Sequence, residues 1–151
     1  MYLFSANDAS AQMKKGDMAA GLNFGLLMPG IGGKFQYATS DKIRLQADFT
    51  RYTNITDEET SVGGGSMGAP EITLIATNRW DSNVNMHYML SEKKVAPYLV
   101  MGIGVVSKGN VLPAFNLGGG LDIGIGDKLA LNFEFKIRLI ALLQAGIVYR
   151  F

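Results

Sequence analysis

The chain has 151 residues, 48% of them hydrophobic, with fourteen basic and thirteen acidic side chains for a formal net charge of +1. That is one domain with no space for a separate catalytic module, and a charge so near zero leaves no electrostatic footprint for nucleic acid. Cysteine is absent, which excludes disulfides, thiolate metal sites and cysteine nucleophiles together. No run reaches the roughly eighteen consecutive apolar residues that a helical membrane span needs.

Residues 1–12 read MYLFSANDASAQ, and Ala9-Ser10-Ala11 has the small-x-small form of a signal-peptidase site. The segment is expected to be the tail of a signal peptide, or else a disordered leader, and the predicted domain spans 13–151. Beyond residue 16 the dominant period is two, the mark of strands. Strands are predicted at 17–27, 31–39, 43–53, 80–90, 95–106, 115–125, 129–139 and 143–151. The third alternates Ile43, Leu45, Ala47 and Phe49 with Arg44, Gln46, Asp48 and Thr50. The fourth sets Trp80, Val84, Met86, Tyr88 and Leu90 against Asp81, Asn83, Asn85, His87 and Met89. The fifth is apolar on both parities, and only Gly102 and Gly104 suggest that Leu99, Met101, Ile103 and Val105 form the outer set. The seventh is the clearest, with Leu129, Leu131, Phe133, Phe135, Ile137 and Leu139 against Ala130, Asn132, Glu134, Lys136 and Arg138.

The connections alternate in kind. Ser40-Asp41-Lys42, Ser91-Glu92-Lys93-Lys94 and Gly126-Asp127-Lys128 are short polar turns that each join an acid to a lysine before an apolar run. The others fall near Met28-Pro29-Gly30, Ile55 to Thr77, Ser107 to Leu112 and Ile140 to Leu142, and only the second is long. Eight strands able to cross a bilayer at a tilt, with short turns at one end and variable loops at the other, predict an all-β, antiparallel up-and-down transmembrane barrel.

Alternation alone does not say which face is wet. Gly21, Gly25, Gly32, Gly102, Gly104, Gly118, Gly120, Gly124 and Gly146 share the polar parity. A solvated outer face gains nothing from glycine, whereas a narrow eight-stranded interior needs small residues between large ones. The same parity carries Lys34, Arg44, Lys136, Arg138 and Arg150 against Asp48, Asp81, Asp122 and Glu134, along with His87 and many amides. A buried face must balance its charges in this way, because an unpaired buried charge is costly. These ten residues form the predicted interior network. Aromatic residues near the strand ends, Tyr37, Tyr88, Tyr149 and Phe151 at one rim and Trp80 and Phe115 at the other, are the predicted membrane-interface set. The network has two readings, a plug that holds register and blocks flow or the lining of a narrow gated pore, and the small lumen favours the plug. In the pairing expected here Lys136 and Arg138 reach Asp122, Asp48 or Asp81, and Arg150 serves Glu134.

The last strand, Leu143-Gln-Ala-Gly-Ile-Val-Tyr-Arg-Phe151, ends on phenylalanine after alternating apolar residues. With Phe115-Asn-Leu-Gly-Gly-Gly-Leu-Asp122 and Asp127-Lys-Leu-Ala-Leu-Asn-Phe-Glu134, it resembles the small outer-membrane β-barrel family. That family includes the membrane domain of outer-membrane protein A and the opacity-type and porin-family barrels of Bacteroidetes-like bacteria. The resemblance implies a location in the outer membrane of a Gram-negative cell, short turns in the periplasm, and insertion by barrel-assembly machinery. Outer-membrane lipids and lipopolysaccharide are the implied partners, and a monomer is expected. The first, third and fourth outer loops look shorter than the family's, which weakens adhesion or receptor roles.

Little in the sequence points to chemistry. His87 is the sole histidine, lies near the short-turn end of its strand and has no second ligand to complete a metal site. It reads as a packed interior residue. Gly63-Gly64-Gly65-Ser66 lacks the lysine and helix of a phosphate loop, and Asp57, Glu58 and Glu59 before it read as solvated loop residues. Arg51, on the outer parity near the loop end, is placed to reach anionic headgroups. No catalytic residue, metal or cofactor is predicted, and the chain is not expected to be an enzyme. A structural or anchoring barrel leads, followed by a narrow channel for small hydrophilic solutes. A soluble lipocalin-like carrier is the distant alternative and requires the apolar parity inside.

Overall fold

The computed structural model describes residues 13–53, 79–108, 110–138 and 141–151. Residues 1–12, expected to be a signal-peptide tail or leader, the acidic and glycine-rich parts of the long connection, and Leu139 lie outside the described residues. Eight antiparallel strands form one closed barrel in which each pairs with its neighbours in sequence and the last with the first. They are β1 (Met18–Gly25), β2 (Gly30–Ala38), β3 (Ile43–Tyr52), β4 (Arg79–Met89), β5 (Val95–Lys108), β6 (Asn110–Gly124), β7 (Leu129–Ile137) and β8 (Ala141–Arg150). No helix among the described residues is long and apolar enough to cross a membrane.

Alternation along each strand sorts the side chains cleanly. In β3 the pattern puts Arg44, Gln46, Asp48, Thr50 and Tyr52 inside and leaves Leu45, Ala47, Phe49 and Arg51 outside. In β7 it buries Asn132, Glu134 and Lys136 and exposes Phe133, Phe135 and Ile137. The outer surface is a continuous apolar belt to which every strand contributes, from Leu22 and Phe24 on β1 to Ile147 on β8. A belt of that extent is incompatible with water and is what a bilayer's hydrocarbon requires. The soluble-carrier reading fails here, because it needs these residues inside and the charged ones outside.

The register fixes the barrel's geometry. Following paired residues once around, Ser107 leads through Trp80, Arg51, Ile31, Phe24, Ala145, Phe133 and Leu121 to Pro97, a displacement of ten residues along β5. With a rise of about 3.3 Å per residue and about 4.7 Å between strands, that stagger tilts the strands by about 41°. So narrow a barrel is filled by its own side chains. The inward glycines show how tightly: an added Cβ at Gly102 or Gly104 would fall on the amide of Asn85 or Asn83, and one at Gly120 on the Tyr98 ring.

Two boundaries differ from the periodicity. The expected connection from Ser107 to Leu112 is mostly strand, since β5 and β6 pair out to Lys108↔Asn110. The run Val111-Leu112-Pro113 does not alternate and so gave no strand signal, and all three residues are exposed. Among the described residues, pairing between β6 and β7 begins at Leu117↔Ile137, so the β5–β6 hairpin stands beyond the described part of the neighbouring strand. At the other boundary β8 starts at Ala141, and Leu142, expected in a turn, is buried in the lumen.

Candidate functional site: the polar lumen

Antiparallel closure brings the inward residues of all eight strands into one narrow column. At its centre, Arg44 on β3 donates from Nη1 to Asp122 on β6 at 2.5 Å and from Nη2 to His87 Nδ1 at 2.8 Å. Arginine can only donate, so Nδ1 accepts and the imidazole proton sits on Nε2, which lies 3.4 Å from Glu134. Tyr98 stacks on His87 with ring centroids 4.6 Å apart and lies beneath the Arg44 guanidinium at 5.1 Å. Its hydroxyl donates to Glu134 at 3.1 Å and accepts from Asn132 at 2.5 Å. Asn132 in turn donates to Asp122 at 2.6 Å and accepts from Lys34 at 2.5 Å. Lys136 bridges Glu134 at 2.7 Å and Asp48 at 3.4 Å. Asp48 also accepts from Asn83 at 2.7 Å and Asn85 at 2.8 Å.

Toward the loop end of the column stands Asp81. It takes a two-point grip from Arg79, at 2.9 and 3.2 Å, and a bond from Arg138 at 2.9 Å. The Arg79 guanidinium lies over the Tyr52 ring at 5.5 Å, and Gln144 donates to the Tyr52 hydroxyl at 3.1 Å. At the short-turn end the lining turns apolar, with Met13, Ala19, Ala38 and Val148 packed together below the charges.

All ten predicted network residues face the lumen: Lys34, Arg44, Asp48, Asp81, His87, Asp122, Glu134 and Lys136 are buried, the Arg138 side chain is fully enclosed, and Arg150 is partly covered at the rim. Their pairing differs from expectation in two respects. Lys136 folds along its own strand to reach Glu134, because a lysine stem spans the roughly 7 Å between same-face neighbours two residues apart. Arg150 points instead toward the Gly126 carbonyl at 3.5 Å, since it sits at the end of β8, well below Glu134. Asp122 is taken by Arg44, which leaves Asp48 and Asp81 as the acids across the lumen from Lys136 and Arg138. Tyr98, Tyr52 and Arg79 were not anticipated. Gly102 and Gly104 carried the signal for Tyr98, because they share its parity.

Outside, Tyr37, Tyr88 and Tyr149 are each the penultimate residue of a strand that runs toward the short turns, and all are exposed, as is Phe151. Lys128 lies over the Tyr149 ring at 5.9 Å. At the opposite end Trp80 is half-exposed and stacks on Phe49 at 6.0 Å, while Phe115 is 81% exposed above the end of β7.

No family model matches the chain, and no curated relative matches it in sequence. Solved structures do match in shape. The N-terminal β-barrel domain of Pseudomonas aeruginosa OprF superposes with a TM-score of 0.68 at 10% identity, covering 92% of this chain and all of that one (100%). The fold is that of a small outer-membrane β-barrel. A de novo designed transmembrane β-barrel matches with a TM-score of 0.60 at 17% identity, covering 93% of this chain and 99% of that one. The Yersinia pestis outer membrane protein Ail, solved in a phospholipid bilayer nanodisc, matches with 0.56 at 13% identity, covering 91% and 100%.

Proposed function

We propose that the chain is an integral outer-membrane barrel of a Gram-negative bacterium with a structural or anchoring role and a lumen plugged by its own ion pairs. The carrying observation is that the pairs run across the lumen between strands that are not neighbours. Arg44 on β3 reaches Asp122 on β6, Lys136 on β7 reaches Asp48 on β3, and Arg138 beyond β7 reaches Asp81 on β4. Such struts brace opposite walls and occupy the space through which solute would pass. Lipid contact is supported by the apolar belt and its aromatic ends, and contact with lipopolysaccharide by Arg51, which is exposed beside Trp80. No enzymatic role is proposed.

The second reading, a narrow channel, is favoured by the polarity of the column itself. Planar-bilayer recording separates the two. The plug reading expects the native barrel to show at most rare, small openings, and Arg44→Ala with Asp122→Ala to raise conductance. Steady ohmic current through the native barrel would establish the channel instead.

A further inference from the structure

Among the described residues, the fully enclosed charges of the lumen balance except at the loop end. Four cationic side chains, Lys34, Arg44, Lys136 and Arg138, and four carboxylates, Asp48, Asp81, Asp122 and Glu134, are enclosed in the barrel. Arg79, whose side chain is only 12% exposed, is a further cation, and both of its hydrogen bonds go to Asp81. Among the described residues Asp81 therefore serves two guanidinium groups, and one positive charge is left over at the loop end.

The donors tell the same story. Arg138 uses Nη1 for Asp81, while its Nε and Nη2 are buried and meet no acceptor among the described residues. Those two N–H groups are the side-on edge of the guanidinium, whose parallel bonds match the two oxygens of an oxyanion. Arg79 uses the same edge to hold Asp81. A water molecule would satisfy the donors and leave the charge uncompensated; an anion does both. We propose that the loop end of the lumen is a binding site for a tetrahedral oxyanion, phosphate or sulfate, held by the Nε–Nη2 edge of Arg138 beside the Arg79–Asp81 pair. This assignment is independent of whether the lumen conducts.

The test is unfolding of the refolded, detergent-solubilised barrel, followed by the fluorescence of Trp80, in phosphate or sulfate against chloride at matched ionic strength. The native barrel is expected to gain a midpoint shift that saturates with oxyanion concentration, as binding to the folded state alone requires. Arg138→Gln should abolish the saturating part, and Lys42→Gln, exposed in the short turn at the opposite end, should keep it. Should Arg138→Gln not refold, Arg138→Lys retains the charge without the planar edge and is expected to lose saturation too. Titration with lipopolysaccharide and its dephosphorylated form identifies the source: a shift from inorganic phosphate marks a free ion, and one from phosphorylated lipopolysaccharide alone marks a headgroup, each upholding the site if Arg138→Gln removes it. A shift that rises without saturating, or one equal in native and Arg138→Gln barrels, reflects general salt effects and overturns the proposal.

Discussion

Tyr98 stands where the Arg44–Asp122 and Glu134–Lys136 pairs meet, with its hydroxyl between Glu134 and Asn132 and its ring against His87 and Arg44. Tyr98→Phe keeps the ring and removes the hydroxyl, leaving a buried carboxylate and a buried amide each short of a partner. A loss of about 1–3 kcal/mol follows, measurable as a lower urea midpoint in lipid vesicles; an unchanged midpoint would show that water replaces the hydroxyl freely. The Arg44–Asp122 pair admits a sharper measurement. Either single alanine substitution strands a buried charge at a cost of roughly 3–5 kcal/mol, and removing both relieves much of it. A double-mutant cycle should therefore show strong coupling, and additive losses would mean that the pair is hydrated. At this scale the sequence was legible for side-chain direction and poor for partners. Parity placed Glu134, Lys136 and Asp48 in one lumen, but which of them touch depends on stem length and on height in the barrel. Neither follows from alternation along a single strand.

At the scale of strands, the belt of Phe133, Phe135 and Ile137 carries the membrane argument. Phe133→Arg places a guanidinium against hydrocarbon near mid-strand at a cost of about 2–4 kcal/mol, while Phe133→Leu keeps the surface apolar. The arginine variant should lose most of its folded, heat-modifiable form in vesicles and the leucine variant should keep it. Equal folding of the two would move this face away from lipid. Strand number and order could be read because each acid-lysine turn interrupts a clear period of two. The extent of β6 could not. Among the described residues, 110–113 pair only with β5 and, standing beyond the described part of β7, have no buried face to impose alternation.

For the molecule as a whole, closure was foreseeable from eight amphipathic strands, whereas the ten-residue stagger was not. Turns constrain the hairpin registers, but the seam between β1 and β8 has no turn. Its register, Ala19↔Arg150 through Gly25↔Gln144, is set by fitting Gly21 and Gly146 against the partner strand and Lys34. The same seam has a consequence for chain connectivity. Phe151 donates its amide to the carbonyl of Met18 at 3.0 Å, so the two ends of the barrel wall lie side by side at the short-turn end. The ladder is continuous there, and nothing in the wall distinguishes that junction from a hairpin. A circularly permuted chain, with Phe151 joined to Met13 by a short flexible linker and new ends opened between Glu92 and Lys93, should refold to the same urea midpoint. The cyclic order of the strands is therefore the property that the architecture preserves, and the place where the polypeptide starts is incidental to it.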